Sequence, residues 1–282
     1  MHVAVTGATG FVGRHVVAEL SRRNIRPVIV MHPDDPGSPA VRDLDKVTVD
    51  LCNFGDAGQL YTQMGCPDVL IHLAWGGLPN YKSSHHIEQE LPSQKRFLRE
   101  MIQSGVSSVA VSGTCFEYGM QSGELSETME PKPDNPYGTA KNELRSYLEE
   151  LQTSLSFSLM WARFFYLYGE GQSSRSLFSL LKTAVERGDA TFDMSGGEQV
   201  RDFLPVEQAV SDFVSLALQQ KNVGVVNLCS GSPVSVKNLV EKWLTENEWQ
   251  IDLNLGVYPY PEYEPMEFWG CADKSNRLLE RA

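Results

Sequence analysis

Tyr137 and Lys141 stand four residues apart in Asn135-Pro136-Tyr137-Gly138-Thr139-Ala140-Lys141. Side chains at i and i+4 share one helix face, and Pro136 suits a first helical position. The spacing therefore predicts a helix beginning at Pro136, with a phenol and an ammonium side by side. A nearby ammonium stabilises phenolate and lowers a tyrosine pKa from about 10. That makes Tyr137 a candidate acid or base at neutral pH, and Lys141 can also donate to ribose hydroxyls. A further hydroxyl, Thr114, closes the run Val109-Ala110-Val111-Ser112-Gly113-Thr114. At the carboxyl end of a central strand it would lie in the ligand crevice of a doubly wound sheet. There it could hydrogen-bond a carbonyl presented to Tyr137. On residue type alone, the Tyr–Lys pair also reads as an exposed helix pair, and Thr114 as a turn or capping residue.

A cofactor for such chemistry needs its own cradle, and Val3-Ala4-Val5-Thr6-Gly7-Ala8-Thr9-Gly10-Phe11-Val12-Gly13-Arg14 has the pattern of one. A short apolar run ends in glycines spaced three apart. Val12, Val16, Val17 and Leu20 then recur at helical spacing. Strand, tight turn and helix is the expected order. Glycines let the backbone turn sharply and bring its N–H groups to a pyrophosphate, and the helix N-terminus adds its positive dipole end. In that context the glycine spacing predicts dinucleotide binding, with Gly7, Thr9, Gly10, Phe11, Val12, Gly13 and Arg14 as candidate contacts.

Strand-like and helix-like segments alternate along the chain. Residues 27–31, 46–49, 68–73, 108–112 and 157–162 read as the second to sixth strands, and a long helix occupies about 85–104. This order predicts an α/β protein with a parallel, doubly wound sheet and right-handed crossovers. Residues 1–162 are expected to form the dinucleotide-binding domain, with 200–228 returning to it and 225–228 rejoining the sheet. Residues 163–199 and 229–282 are left for a smaller substrate-binding lobe, in which Gly, Ser and Pro gather at 169–176, 195–197 and 230–233. Pro259, Pro261 and Pro265, set among aromatics and acids, predict a loop in the tail.

Composition bounds the partners. The 282 residues, 41% hydrophobic, suffice for one large α/β unit or two interlocked lobes. No apolar run approaches the ~18 residues that span a membrane, and the first strand begins at once, leaving no room for a signal peptide. The cytoplasm is the expected location. Five scattered cysteines, an odd number, argue against a disulfide framework. No Cys or His spacing resembles a zinc site, and no metal is expected. His85-His86 reads as a solvated pair, because adjacent helical residues point apart. A net charge of −12 disfavours nucleic acid and anionic membrane, so an anionic ligand would need local arginines and helix N-termini.

Taken together, these motifs resemble an extended short-chain dehydrogenase/reductase, the family of nucleotide-sugar epimerases, dehydratases and reductases. Residues 6–13 match its cofactor turn, Asp50-Leu51 its adenine-contacting pair and His72-Leu73-Ala74 its fourth-strand signature. Tyr118-Gly119 closes its Ser/Thr element, and Tyr137 and Lys141 match its catalytic pair. Residues 163–169, 197–206 and 227–231 match later elements, including Arg201-Asp202-Phe203 on the phosphate side of the substrate lobe. The resemblance implies a Rossmann-type fold with a smaller C-terminal lobe. It implies Thr114, Tyr137 and Lys141 as catalytic residues, with Asp50, Leu51, Leu73 and Ala74 added to the cofactor contacts. Trp75, Leu78, Tyr81, Thr114, Cys115, Phe116, Tyr166, Arg175 and Arg201 become candidate substrate contacts.

The chain departs from the family where Glu90-Leu91 and Tyr166 stand in place of asparagines. Sugar-nucleotide dehydratases carry Asp-Glu after the catalytic hydroxyl, where this chain has Cys115 and Phe116. Glu117 comes one residue later, and along an extended chain it would face the opposite side. The segments 74–81 and 112–119 resemble the branch that reduces dTDP-4-keto-6-deoxyhexoses. The implied activity is NAD(P)H-dependent reduction of the C4 keto group of a nucleotide-linked 6-deoxyhexose, with Tyr137 as proton donor. A nucleotide-sugar 4-epimerase with tightly bound NAD and a non-catalytic dinucleotide-sensing regulator are the alternatives. NAD-specific members usually place an acid at the end of the second strand to bind the ribose 2′-OH. Here that place falls to His32, with Asp34 and Asp35 beyond a proline, and Arg14 could approach a 2′-phosphate. NADP(H) is therefore expected, with NAD(H) possible. The resemblance also suggests a homodimer through the helices near 85–104 and 136–152.

Overall fold

In the computed structural model, which describes residues 1–260 and 264–281, the apolar runs become parallel strands covered on both faces. The first half of the chain forms β1 (Val3–Thr6), α1 (Phe11–Arg22), β2 (Val28–Met31), β3 (Lys46–Thr48), α2 (Ala57–Gln63) and β4 (Val69–His72). It continues as α3 (Leu91–Ser104), β5 (Ser108–Thr114), β6 (Gly123–Leu125), α4 (Pro136–Leu151) and β7 (Ser158–Phe164). Then come β8 (Tyr166–Tyr168), α5 (Leu177–Arg187), β9 (Thr191–Asp193), β10 (Val200–Pro205), α6 (Val206–Ala217) and β11 (Gly224–Leu228). The last elements are β12 (Pro233–Ser235), α7 (Val236–Glu246), β13 (Asp252–Asn254), β14 (Phe268–Gly270) and α8 (Asp273–Leu278).

Seven strands form one sheet in the order β11-β7-β5-β4-β1-β2-β3, every pairing parallel. The order reverses between β1 and β4, which opens the ligand crevice at their carboxyl ends. One face is covered by α1 and α6, packed on Val5, Ile71, Ala162 and Val226. The other is covered by α2, α3 and α4, packed on Leu70, Val109, Val111 and Trp161. Beyond the carboxyl ends, β8, β10 and β12 make a three-stranded sheet and β9 pairs with β13. Thus α6 and β11 lie with the large sheet, whereas β10 lies with the small one.

The α4 helix begins as the sequence dictates. Pro136 occupies its first turn, and the Asn135 side chain caps it by accepting from the Gly138 N–H at 2.9 Å. Upstream, the helix expected from about residue 85 divides. Residues His86–Glu90 form a wider π-type turn that runs directly into α3. The tail is not all loop. Pro261 lies outside the described residues, but past Pro265 the chain forms β14, which pairs in parallel with β6, and then α8. A three-residue strand held by a partner some 140 positions away leaves no local pattern to read.

Glu117 does not lie on an extended chain. Residues Cys115–Tyr118 form a 3₁₀ turn that drives its carboxylate into the core, where it is fully buried. Oε1 accepts from the Thr114 N–H and from Trp161 Nε1, both at 2.9 Å, and Oε2 accepts from Arg163 Nε at 2.7 Å. The Arg163 guanidinium lies 4.4 Å over the Tyr118 ring. Removing one partner of a buried pair leaves the other charge uncompensated, at about 3–5 kcal/mol. Glu117→Gln keeps the shape and removes the charge. It should lower the urea-unfolding free energy by that order, and a loss under about 1 kcal/mol would show that the charge is dispensable.

Candidate active site

The crevice is a cavity of about 780 Å³ between the glycine turn, the ends of β4 and β5, the start of α4 and the small sheet. Gly7, Gly10, Phe11, Val12, Gly13 and Leu73 line one end. Here the glycines are obligatory. A Cβ on Gly13 would stand 2.0 Å from the Gly7 carbonyl oxygen, and one on Gly7 (φ +68°) would stand 2.7 Å from the Ala74 nitrogen. Backbone therefore takes the place of side chains where a pyrophosphate would approach, and the residues present fit a dinucleotide. The Thr6 hydroxyl ties the two strand ends together, accepting from the Leu73 and Ala74 N–H groups at 3.2 Å each.

At the centre of the cavity Thr114, Tyr137 and Lys141 come together. The Thr114 hydroxyl favours the phenolate form of Tyr137 within the same cavity. Burial outweighs it and pushes the phenol up, so Tyr137 keeps its proton. The expectation that Lys141 lowers this pKa is thus corrected. The ammonium donates to the Ser112 carbonyl at 2.9 Å and sits 4.0 Å over the Trp75 ring, while standing 5.9 Å from the centre of the Tyr137 ring. Burial pulls Lys141 itself down to about 7, opposed by the carboxylates of Glu117 and Glu90.

Tyr137 is boxed by aromatic rings, with centroids of His86 at 5.3 Å, Tyr81 at 5.5 Å, Trp75 at 5.9 Å and Phe116 at 6.4 Å. The Tyr137 N–H donates to the Tyr81 carbonyl at 3.1 Å, hanging the 75–84 loop on α4. Trp75, Leu78, Tyr81, Cys115 and Phe116 all face the cavity. Cys115 is a buried thiol pushed upward by desolvation, so it offers neither base nor nucleophile. The His pair is not solvated as expected. His86 is fully buried, accepting from Trp75 Nε1 at 3.1 Å and bonded to the Asn80 carbonyl at 2.9 Å.

At the far end, Tyr166, Arg175 and Arg201 line the cavity together with Tyr168, Phe178, Phe203 and Glu264. Arg201 is not a free cation. Its guanidinium donates to Glu264 at 2.9 Å and to the Val200 and Met266 carbonyls, and Tyr166 Oη donates to the same carboxylate at 2.6 Å. Its neighbour Asp202 holds the turn at Ser230 and Gly231. Arg175 is exposed and has no side-chain partner among the described residues. Sequence reasoning missed Glu264, which is placed by contacts that no local spacing announces.

The remaining cofactor candidates lie past Gly10, in an adjoining groove lined by Thr9, Arg14, His32, Asp34 and Asp35. The premise behind NADP(H), that Asp34 and Asp35 lie past a proline and no acid sits at the expected offset, does not keep an acid out of the groove. The chain turns at His32 and Pro33, and Asp35 folds back to accept from the Thr9 hydroxyl. Asp50 stands 3.8 Å from the His32 ring, and Leu51 is half-buried against the α2–α4 core. Among the described residues no cluster of His, Cys, Asp or Glu could hold a metal, and no helix is long and apolar enough to cross a membrane.

A glycine turn, a Tyr–Lys pair and this strand order recur together, and residues 3–229 match the NAD dependent epimerase/dehydratase family. The chain belongs to that family. It is 27% identical over 272 residues to the dTDP-6-deoxy-L-talose 4-dehydrogenase (NAD(+)) of Aggregatibacter actinomycetemcomitans, covering 96% of this chain and all of that protein. It is 26% identical to UDP-arabinose 4-epimerase 1 of Arabidopsis thaliana, covering 89% of this chain and 69% of that one. The fold is similar to MoeE5 in complex with UDP-glucuronic acid and NAD, with a TM-score of 0.83 at 25% identity, covering 100% of this chain and 93% of that one.

Burying Lys141 has a pH signature. In the folded chain it titrates at about 7, against 10.5 for an ordinary lysine. Between those values the unfolded chain binds the extra proton, so this group makes stability rise with pH across the window. Relative to Lys141→Met, the wild-type protein should gain stability from about pH 7 to about pH 10, measured by urea unfolding without added ligand. A difference that stays flat would show that the ammonium is not desolvated.

Proposed function

We propose that the protein uses NAD(H) to reduce the C4 keto group of a nucleotide-linked 6-deoxyhexose, most readily a dTDP-sugar. The observation that carries this reading is the convergence of Thr114, Tyr137 and Lys141 in one cavity continuous with the glycine turn. Gly7, Gly10 and Gly13 would hold the cofactor pyrophosphate, and Lys141 its nicotinamide ribose. When bound, the cofactor supplies the hydride for C4. Thr114 orients the carbonyl, and Tyr137, protonated because it is buried, gives its proton to the oxygen. Trp75, Leu78, Tyr81 and Phe116 offer rings and methyls to a sugar that lacks a C6 hydroxyl. Dehydration would require an acid and a base next to Thr114. Cys115 is held protonated and Glu117 is turned into the core, so neither serves. The assembled Thr–Tyr–Lys set also speaks against a non-catalytic sensor.

Asp35 supports NAD(H) over NADP(H), because a carboxylate in the groove past Gly10 would repel a 2′-phosphate and accept from a 2′-OH. The name of the talose dehydrogenase carries the same cofactor. The second reading is a nucleotide-sugar 4-epimerase. It too needs only Thr114, Tyr137 and Lys141, and Asp35 supplies the acid that tight NAD retention calls for. UDP-arabinose 4-epimerase 1 stands among the relatives.

Cofactor accounting separates the two readings. The protein is screened with dTDP-, GDP-, UDP- and CDP-linked 4-keto-6-deoxysugars while NADH and NADPH are followed and products identified. One NADH should disappear per sugar reduced, with little cofactor carried through purification. Near-stoichiometric bound NAD and exchange of C4 epimers without net cofactor change would establish the epimerase instead. Tyr137→Phe should cost 10²–10⁴-fold in turnover with NADH binding little changed; retention of more than about a third of the rate would remove Tyr137 from the chemistry. Asp35→Ala should raise the NADPH/NADH preference at least about tenfold, a change of about 1.4 kcal/mol, and an unchanged ratio would dissociate Asp35 from cofactor choice.

A further inference from the structure

Three basic side chains line the cavity, Lys141, Arg175 and Arg201, and among the described residues Glu264 is the one acid. The chain already carries a net charge of −12. A carboxylate on the wall of a cavity that takes a diphosphate must therefore stand where no phosphate does, because like charges in such surroundings repel strongly.

The contacts of Glu264 say where it stands. The segment just after it is tied to β10: the Val200 N–H donates to the Met266 carbonyl at 2.9 Å, and Val200 bridges to Glu267. Its side chain is 12% exposed. Oε1 accepts from Tyr166 Oη at 2.6 Å and Oε2 from Arg201 Nη2 at 2.9 Å. Burial pushes the Tyr166 phenol well up, so it stays a donor. The Arg201 guanidinium lies 4.6 Å over the Phe268 ring and gives its other hydrogen bonds to the Val200 and Met266 carbonyls. Phe268 shares an apolar cluster with Phe165 and Cys115, and Tyr166 packs against that cluster. Cys115 directly follows Thr114. Through Tyr166 and Phe268, Glu264 thus belongs to the wall that continues from Thr114, not to the glycine turn.

A carboxylate offers about four lone-pair positions. Tyr166 and Arg201 each take one. What remains accepts from hydroxyls, whereas a second carboxylate brings no proton and adds like charge. We propose that Glu264 is a specificity-determining residue: it cancels the charge of Arg201 and presents acceptors to the sugar, so the site takes a neutral, hydroxyl-bearing sugar and turns away one that carries a carboxylate. This rests on the reading of the cavity as a nucleotide-sugar site. Glu264→Gln removes the repelling charge and also leaves Arg201 uncompensated, and both changes favour an anionic sugar.

The test compares the Kd values of dTDP-glucose and dTDP-glucuronic acid, measured by calorimetry with NAD(+) added. Base and diphosphate are common to the two probes and cancel in the ratio. The wild-type protein should bind the neutral sugar at least about tenfold more tightly, and Glu264→Gln should cut that preference at least about tenfold. Arg201→Met combined with Glu264→Gln removes the whole ion pair, which folded proteins often tolerate. It should relax the preference by a smaller step, a readout that survives if the single variant does not fold. Two affinities that weaken together at a constant ratio would make Glu264 a structural partner of Arg201 only. Two that tighten together would place it against the diphosphate. Either result overturns the proposal and leaves the reductase reading in place. A wild-type protein that binds neither probe would remove the nucleotide-sugar reading and the proposal with it. If the ratio moves as expected but no keto-sugar nucleotide is turned over, the reductase reading fails and the role of Glu264 stands.

Discussion

A single buried carboxylate sets the shape of the reacting end of the cavity. Glu117 accepts at once from the backbone of Thr114, the indole of Trp161 and the guanidinium of Arg163. It thereby fixes where β5 stops, how the next turn is wound and how β5 sits against β7. Because the turn is 3₁₀ rather than extended, Thr114, Cys115 and Phe116 all line the cavity while Glu117 is turned away from it. Any chemistry involving Thr114 depends on this inward-facing acid, although the acid itself cannot reach a substrate.

Desolvation, more than pairwise attraction, governs the charged groups here. The phenol and the ammonium on one face of α4 suggest mutual stabilisation when only their spacing is considered. In the fold each lies in low-dielectric surroundings, which favour the neutral form of both. The phenol is left as a donor, and the lysine sits close to its titration point. Arg201 shows the same logic on the opposite wall. An arginine at 2% exposure cannot stand waiting for an anion, and Glu264 with two carbonyls satisfies it. Arg175 on the same wall is exposed and has no side-chain partner among the described residues.

Features encoded over a few residues were legible in the sequence. The glycine turn with its following helix, the parallel strands and the Tyr–Lys helix begun by Pro136 each carry their cause within a dozen positions, and the structure reproduces them. Features produced by distant contacts were not legible. Asp35 looked displaced by Pro33, yet the turn it enters returns it to Thr9. His86 looked like half of a solvated pair because helical geometry separates neighbours; the π-type turn and the Trp75 indole bury it instead. Glu264 meets Arg201 across 63 positions, and β14 exists only because β6 is there to pair with it.

That last pairing bears on the order in which the protein is built. All seven strands of the large sheet precede residue 229, whereas Glu264 and β14 lie well after it. As a chain leaves the ribosome, N-terminal regions fold first. The glycine cradle, the Thr–Tyr–Lys group and most of the opposite wall therefore lie in the part of the chain made first, while Glu264 and β14 have yet to be translated. In that interval Arg201 and Tyr166 lack Glu264, and Gly123–Leu125 lacks its strand partner. The glycine-turn end of the cavity is thus complete before the end that Glu264 closes.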